Sequence, residues 1–223
     1  MPGGGILVAA SARKRADLSD FIERELSKED CVRAVVCTGS VAAGTARFDS
    51  DIDAFVFMEP FDPFVVPAEF AWRRGDGSIL SICSPEIGPD TVQFDFTRVD
   101  LLKWSSPDYV WPDGVKAELS VGWLAFDRDG RSSALIADRV CYSDTIRRRR
   151  LDEAIVWGDL HLCSDLVELR WDALGPLGSH EILGAAWEHT KQAAFAINRH
   201  WMPWPGKQSQ ALTALPLLPQ GFA

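Results

Sequence analysis

Three short strings carry residue types suited to phosphate and metal chemistry: Thr38-Gly39-Ser40, Asp51-Ile52-Asp53 and Gln93-Phe94-Asp95. Gly39 has no Cβ, so a phosphate can approach the backbone, and Ser40 adds an N–H and a hydroxyl where a helix would start. Residues i and i+2 of a strand point to one face, so Asp51 and Asp53 project together while Ile52 faces the core. Two close carboxylates repel each other unless a cation lies between them, and oxygen-only ligation suits Mg2+ bridged to phosphate oxygens. From Val92 to Thr97 the apolar residues Val92, Phe94 and Phe96 share one face, and Gln93, Asp95 and Thr97 share the other. Beside the Asp51/Asp53 strand, such a strand lets Asp95 complete the metal site or accept the proton of an attacking hydroxyl.

These residues need a sheet. Leu18, Phe21, Ile22 and Leu26 recur at helical spacing, which predicts an amphipathic helix over 14–27. Three strands are expected after it: the β-branched run 31–37, the run 52–58, and the alternating run 91–99, with a loop over 60–67. Residues 119–126 read as a further strand that closes or edges the sheet, and Asp127-Arg-Asp-Gly130 as a turn with Gly at a positive φ. Beyond Cys141 the pattern changes. Leu151, Ala154, Ile155, Leu162, Leu166 and Leu169 repeat on one helical face, and Ile182, Leu183, Ala186, Trp187, Ala194, Ile197 and Trp201 on another. These predict two long helices broken at Gly175-Pro176-Leu177-Gly178. The chain therefore divides into a mixed half, 1–143, and a helical half, 144–223. The stretch 212–223 reads either as a docking loop or as a truncated continuation.

Composition narrows the class. With 47% hydrophobic and 25% charged residues the chain is globular in type. Acidic residues outnumber basic ones 32 to 23, so the mean field repels polyanions and a long nucleic acid is not expected as a partner. Cys31, Cys37, Cys83, Cys141 and Cys163 sit mostly in apolar runs without paired spacing, as reduced, structural thiols do. The opening residues carry no signal-type apolar core, and no run approaches the ~20 apolar residues of a membrane span. A cytoplasmic protein without a membrane partner is expected.

Ten residues separate Ser40 from Asp51. In this spacing and order, Gly39-Ser40 followed by Asp51-Ile52-Asp53 resembles the fingerprint of nucleotidyltransferases of the DNA polymerase β superfamily. Gly39-Ser-Val-Ala-Ala-Gly44 with Ser50-Asp-Ile-Asp53 resembles above all its small-molecule branch, which includes aminoglycoside and lincosamide nucleotidyltransferases. The likeness spans roughly residues 14–100. It implies an α+β fold, a mixed sheet with flanking helices followed by a helical domain. By that resemblance Ser40 would hold the β- and γ-phosphates of a nucleoside triphosphate, ATP being the expected donor. Asp51 and Asp53 would hold Mg2+, and Asp95 would be the third ligand or the base. A nucleoside monophosphate would pass to a hydroxyl of a small molecule, such as an aminoglycoside-like antibiotic, or of a protein. Asn198-Arg199 followed by Trp201-Met-Pro-Trp-Pro-Gly-Lys207 resembles the segment closing the helical domain in small members, where Lys207 would reach the triphosphate. Gln208 stands where those members place an aromatic residue.

The other charged and aromatic residues have simpler readings. Arg47 is expected to pair with Asp49. Arg147 to Arg150 read as a solvated turn before the Leu151 helix. His161, His180, His189 and His200 lack metal-ligand spacing. The nine tryptophans are mainly core, with Trp72, Trp104 and Trp111 as candidates for stacking on a base or lining an acceptor pocket. Two rivals share the fold. One is a nucleotide-binding or regulatory module without turnover, paired with a helical partner protein. The other is an enzyme extending RNA ends, which the acidity and the lack of a basic stripe disfavour.

Overall fold

The computed structural model describes residues 9–87, 90–162 and 164–221; residues 1–8, 88–89, Cys163 and 222–223, and the side chains of residues 164–166, Leu166 among them, lie outside the described part. Helix α1 (Ala9–Arg24) buries Leu18, Phe21 and Ile22, and Leu26 follows on a single 3-10 turn, Leu26–Lys28. The chain is already helical at Ala9, five residues before the expected bound at residue 14, and there Ser11 is buried and its hydroxyl accepts the Ala46 N–H at 2.9 Å. Next come β1 (Val32–Cys37), the short helix α2 (Gly39–Ala43) and β2 (Ile52–Met58). They are followed by β3 (Phe70–Arg73), β4 (Ile79–Cys83), the two-residue strands β5 (Glu86–Ile87) and β6 (Asp90–Thr91), and β7 (Phe94–Asp100). Helices α3 (Leu101–Ser105) and α4 (Asp113–Ser120), strand β8 (Trp123–Asp127) and helix α5 (Arg131–Arg139) complete this part of the chain.

Six strands form one mixed sheet in the order β3-β4-β7-β2-β1-β8. The β2–β7 pair is parallel and its neighbours are antiparallel. Because β3 and β4 intervene in sequence, the chain returns to run beside β2 in the same direction. Both faces of the centre are covered. On one, Phe21 of α1 stacks on Phe94 and Phe96 at 4.8 and 5.7 Å. On the other, Trp104 of α3 lies against Phe55 and Phe57 at 6.0 and 5.9 Å, and Trp111 donates its indole N–H to the Trp104 carbonyl at 3.0 Å. Burial of both faces explains why β2 reads as a continuous apolar run rather than an alternating one.

Several expected elements differ. The run 91–99 is split: Thr91 belongs to the β5–β6 hairpin, and the long strand begins only at Phe94. The strand expected over 119–126 starts at Trp123, since Leu119 is buried on α4 instead. It does edge the sheet, and Gly130 has φ +77° as its turn requires. The hairpin β3–β4 was not apparent from sequence. Arg147 to Arg150 form helix rather than a turn, and Arg150 pairs with Asp113 at 2.8 Å. Trp104 and Trp111 are core residues at 1% exposure, so neither is a stacking surface, whereas Trp72 is exposed.

The chain forms two compact units. One comprises residues 1–112 and 118–140, and the other 113–117 with 141–223. In the second unit α6 (Asp144–Leu162) packs on α7 (Ser164–Ile197), which bends at Gly175, where φ is +69°, just before Pro176. The expected break is thus a kink. Of the expected stripes Ala154, Ala186 and Ala194 are buried, but Ile155, Leu162, Leu169, Leu183, Trp187 and Ile197 are exposed. Trp201 lies beyond the end of α7, buried beside Tyr142 at 4.6 Å. Helix α8 (Pro205–Thr213) carries Leu212, which with Leu215 packs on Ala194 and Phe195, so this stretch docks. Buried Gln208 accepts from Lys191 at 2.5 Å and donates to the Pro203 carbonyl at 3.0 Å, a polar role that an aromatic ring cannot fill. No helix among the described residues is long and apolar enough to cross a membrane.

Removing a ring from the centre must cost far more than removing one from the edge. Trp104→Ala is expected to lower stability by about 3–5 kcal/mol, and Trp72→Ala by roughly 0.5 kcal/mol or less. Urea denaturation of both variants checks the contrast.

Candidate functional site

The site grows from the ends of β1 and β2. The Thr38 N–H donates to the Asp53 carbonyl at 2.9 Å, so the turn after β1 is tied to the start of β2. Gly39 then takes φ +62°, and a Cβ placed there would lie 2.4 Å from Asp53 Oδ2. The backbone conformation thus favours glycine, and a side chain there would also force the Asp53 carboxylate to swing aside. Ser40 follows, half-buried, and its carbonyl accepts from the Thr45 N–H at 2.9 Å. Arg15 of α1 reaches across to the carbonyls of Val41 and Ala42, at 3.3 and 2.7 Å, and holds the far end of α2.

The parallel register of β2 and β7 sets Asp53 directly opposite Asp95. Just before the strands the Ile52 N–H donates to the Gln93 carbonyl at 3.0 Å, which locks the two acidic segments in step. One carboxylate oxygen from each of Asp51, Asp53 and Asp95 lies within 4.8 Å of the others, and all three residues are half-buried. Gln93 Nε2 donates to Asp95 Oδ1 at 2.8 Å. Among the described residues no ion pair with Lys or Arg involves Asp51 or Asp95.

Burial pushes the Asp95 carboxyl above its ordinary pKa, and the neighbouring charge and hydrogen-bonding contact of Asp51 add to this against the opposing bond from Gln93. A cation would relieve that repulsion. The donor set consists of carboxylate oxygens, with no sulfur or imidazole, and fits a hard divalent cation such as Mg2+. The Cys37 thiol nearby is pushed up to about 12, first by burial and then by the charge of Asp53, and stays protonated.

Gly39, Ser40, Asp51, Asp53 and Asp95 are thus brought together in the first unit. Lys207 lies exposed on α8 in the second. Arg47 pairs with Asp49 at 2.9 and 2.7 Å, in solvent. Sequence reasoning missed Arg15, which holds the end of α2, and Ser11, which holds Ala46 in the loop after it, both from α1. They are ordinary helix residues far away in sequence, and no local signal marks them.

Residues 18–103 match the family model described as the nucleotidyltransferase domain, a span that contains the Gly-Ser turn and all three carboxylates. The match ends before the helical half. No curated protein matches the chain in sequence. Among solved structures, a nucleotidyltransferase-like protein from Exiguobacterium sibiricum 255-15 aligns at TM-score 0.45 and 10% identity, over 82% of this chain and 57% of that one.

Three substitutions test the strain and the charge crowding built into the site. Gly39→Ala is expected to cost about 1–2 kcal/mol for the left-handed backbone plus a further penalty for displacing Asp53. Gly130→Ala, also at positive φ but with open space around it, should show the backbone cost alone; equal losses in urea denaturation would refute the clash. Asp95→Asn keeps the acceptor for Gln93 and removes a charge. A carboxyl whose pKa folding raises costs stability above that pKa, and the cost fades as pH falls. In EDTA the variant should therefore melt above wild type at pH 7, with the gap closing toward pH 4, and Mg2+ should stabilise wild type more than the variant.

Proposed function

We propose that the chain is a Mg2+-dependent nucleotidyltransferase that transfers a nucleoside monophosphate, AMP from ATP, to a hydroxyl of a small molecule or a protein. In this reading residues 1–143 are the catalytic domain and 144–223 a helical domain. The observation that carries it is the joining of two features: three carboxylates within 4.8 Å, and a glycine turn at positive φ whose Cβ position lies 2.4 Å from one of them. The nucleotidyltransferase family match over 18–103 supports the same chemistry.

Each residue then has a task. The Gly39-Ser40 backbone and the Ser40 hydroxyl bind the β- and γ-phosphates. Asp51 and Asp53, with Asp95 as third ligand or base, would hold Mg2+, which when bound supplies neutralisation of phosphate charge. The acceptor oxygen bonds to the α-phosphorus as the bond to the pyrophosphate oxygen breaks, and Asp95 takes the hydroxyl proton when it serves as base. Gln93 fixes the orientation of Asp95. Lys207 is assigned to the pyrophosphate charge on the strength of the Asn198-Arg199 to Lys207 string. A cytoplasmic location belongs to the same reading and is supported by Cys31, Cys37, Cys83 and Cys141, which are free thiols.

The decisive assay supplies α-labelled ATP and Mg2+ with a panel of hydroxyl acceptors and follows pyrophosphate release and label transfer. Asp53→Ala is expected to lower the rate by roughly 10²-fold or more, as loss of a group that acts on transition-state charge does. An undiminished rate in a folded Asp53→Ala protein sinks the assignment. ATP binding without product across the panel would favour a regulatory module.

A further inference from the structure

Lateral pairing in the sheet sets four side chains in a row on one face: Asp53 of β2, Asp95 of β7, Ile82 of β4 and Phe70 of β3. The next row is Phe55, Thr97, Leu80 and Trp72. Cross-strand partners point to the same side. The carboxylate face therefore runs on, without a change of side, into an aromatic pair on the edge strand. Phe70 and Trp72 are 58% and 57% exposed, and Leu80 and Ile82 between them and the carboxylates are half-buried. With neighbouring strands ~4.8 Å apart, Phe70 stands about 10 Å from Asp95.

We propose that Phe70 and Trp72, backed by Leu80 and Ile82, form the acceptor subsite and take a hydroxyl-bearing small molecule that presents a flat aromatic or sugar-ring face. The inference rests on the nucleotidyl-transfer reading above, which fixes the direction of attack. In-line displacement requires the attacking hydroxyl to lie opposite the departing pyrophosphate. The Gly39-Ser40 turn that would hold the departing phosphates follows β1, on one flank of β2, and Asp95 stands on the other flank. The acceptor oxygen thus arrives on the Asp95 side, and the body of the acceptor extends over β4 and β3. What it meets there is two exposed rings at i and i+2 on one strand face, a surface that binds flat, weakly hydrated rings.

The test uses the full chain loaded with Mg2+ and AMPCPP, an ATP analogue that cannot be cleaved at the α-phosphorus. Phenyl β-D-glucopyranoside is the probe and saturation-transfer NMR the readout, so no turnover is needed. Wild type should saturate the phenyl protons. Phe70→Ala/Trp72→Ala should reduce the signal about fivefold or more, while Phe64→Ala, at a still more exposed ring, should leave it unchanged. Phe70→Leu/Trp72→Leu, which keeps apolar bulk on the strand and removes the rings, is the second variant should the first fail to fold. AMPCPP affinity by calorimetry should stay within about threefold of wild type in either double variant. The proposal is overturned by absent phenyl saturation in wild type, by equal saturation in the ring-less variants, or by a larger loss of AMPCPP affinity, which would give the rings to the donor. Failure of the transfer reading itself shows separately, as absent AMPCPP binding or as pyrophosphate release that survives Asp53→Ala.

Discussion

Three carboxylates crowded at one end of a sheet repel one another, and the parallel pairing of β2 with β7 is what holds them there. Its seven residue pairs run from Ile52 and Phe94 to Met58 and Asp100, and both faces of the pair are covered. Phe21, Phe94 and Phe96 stack on one side, and Phe55, Phe57 and Trp104 cluster on the other. Arg98 reinforces the arrangement from within β7. Its guanidinium is buried and donates to the carbonyls of Pro63 and Val66, tying the loop that leaves β2 to the strand beside it. Apolar burial of this extent opposes the electrostatic cost at the strand ends, where the sheet gives way to turns and water can screen part of the charge.

The Gly39 contact adds a second constraint. The Thr38 N–H bond to the Asp53 carbonyl couples the phosphate-type turn to the start of β2, and a Cβ at Gly39 would force the Asp53 carboxylate to swing aside. Arg15 and Ser11 extend this coupling to α1, one by capping the carbonyls of α2 and the other by holding Ala46. Positioning chemistry demands a site held by the fold itself, and these bonds supply such a hold.

The elements around Gly39, Asp51 and Asp53 were legible in sequence for a physical reason. Strands buried on both faces leave unbroken apolar runs, as in 31–37 and 52–58, and the glycine and aspartates stand out against them. Asp95 was expected near Asp51 and Asp53 only if its strand lay beside theirs; the register that sets it opposite Asp53 and the parallel direction of β7 were not legible. The hairpin β3–β4 escaped notice because Phe70 to Arg73 are only four residues, all exposed, without a buried face to mark them. Leu119 misled in the opposite sense: a buried leucine beside Val121 and Trp123 looks like strand, but its burial is on a helix. In α6 and α7 the apolar periodicity was real, yet much of it faces solvent, so a hydrophobic repeat located helices there without locating a core.

That difference in legibility follows from a division of labour within the sheet. The groups proposed to handle phosphate and metal lie on β2 and β7 and at the end of β1, where burial on both sides leaves little freedom to change one residue without disturbing its neighbours. The surface beyond Asp95 lies on β4 and β3, where the sheet thins to an edge and one face meets solvent. A substitution at Phe70 or Trp72 disturbs few contacts, while a substitution at Phe94 or Phe96 disturbs a stack. On the proposed reading, chemistry common to many acceptors would thus be built into the rigid centre, and the features that distinguish one acceptor from another would stand at the edge, on exposed side chains.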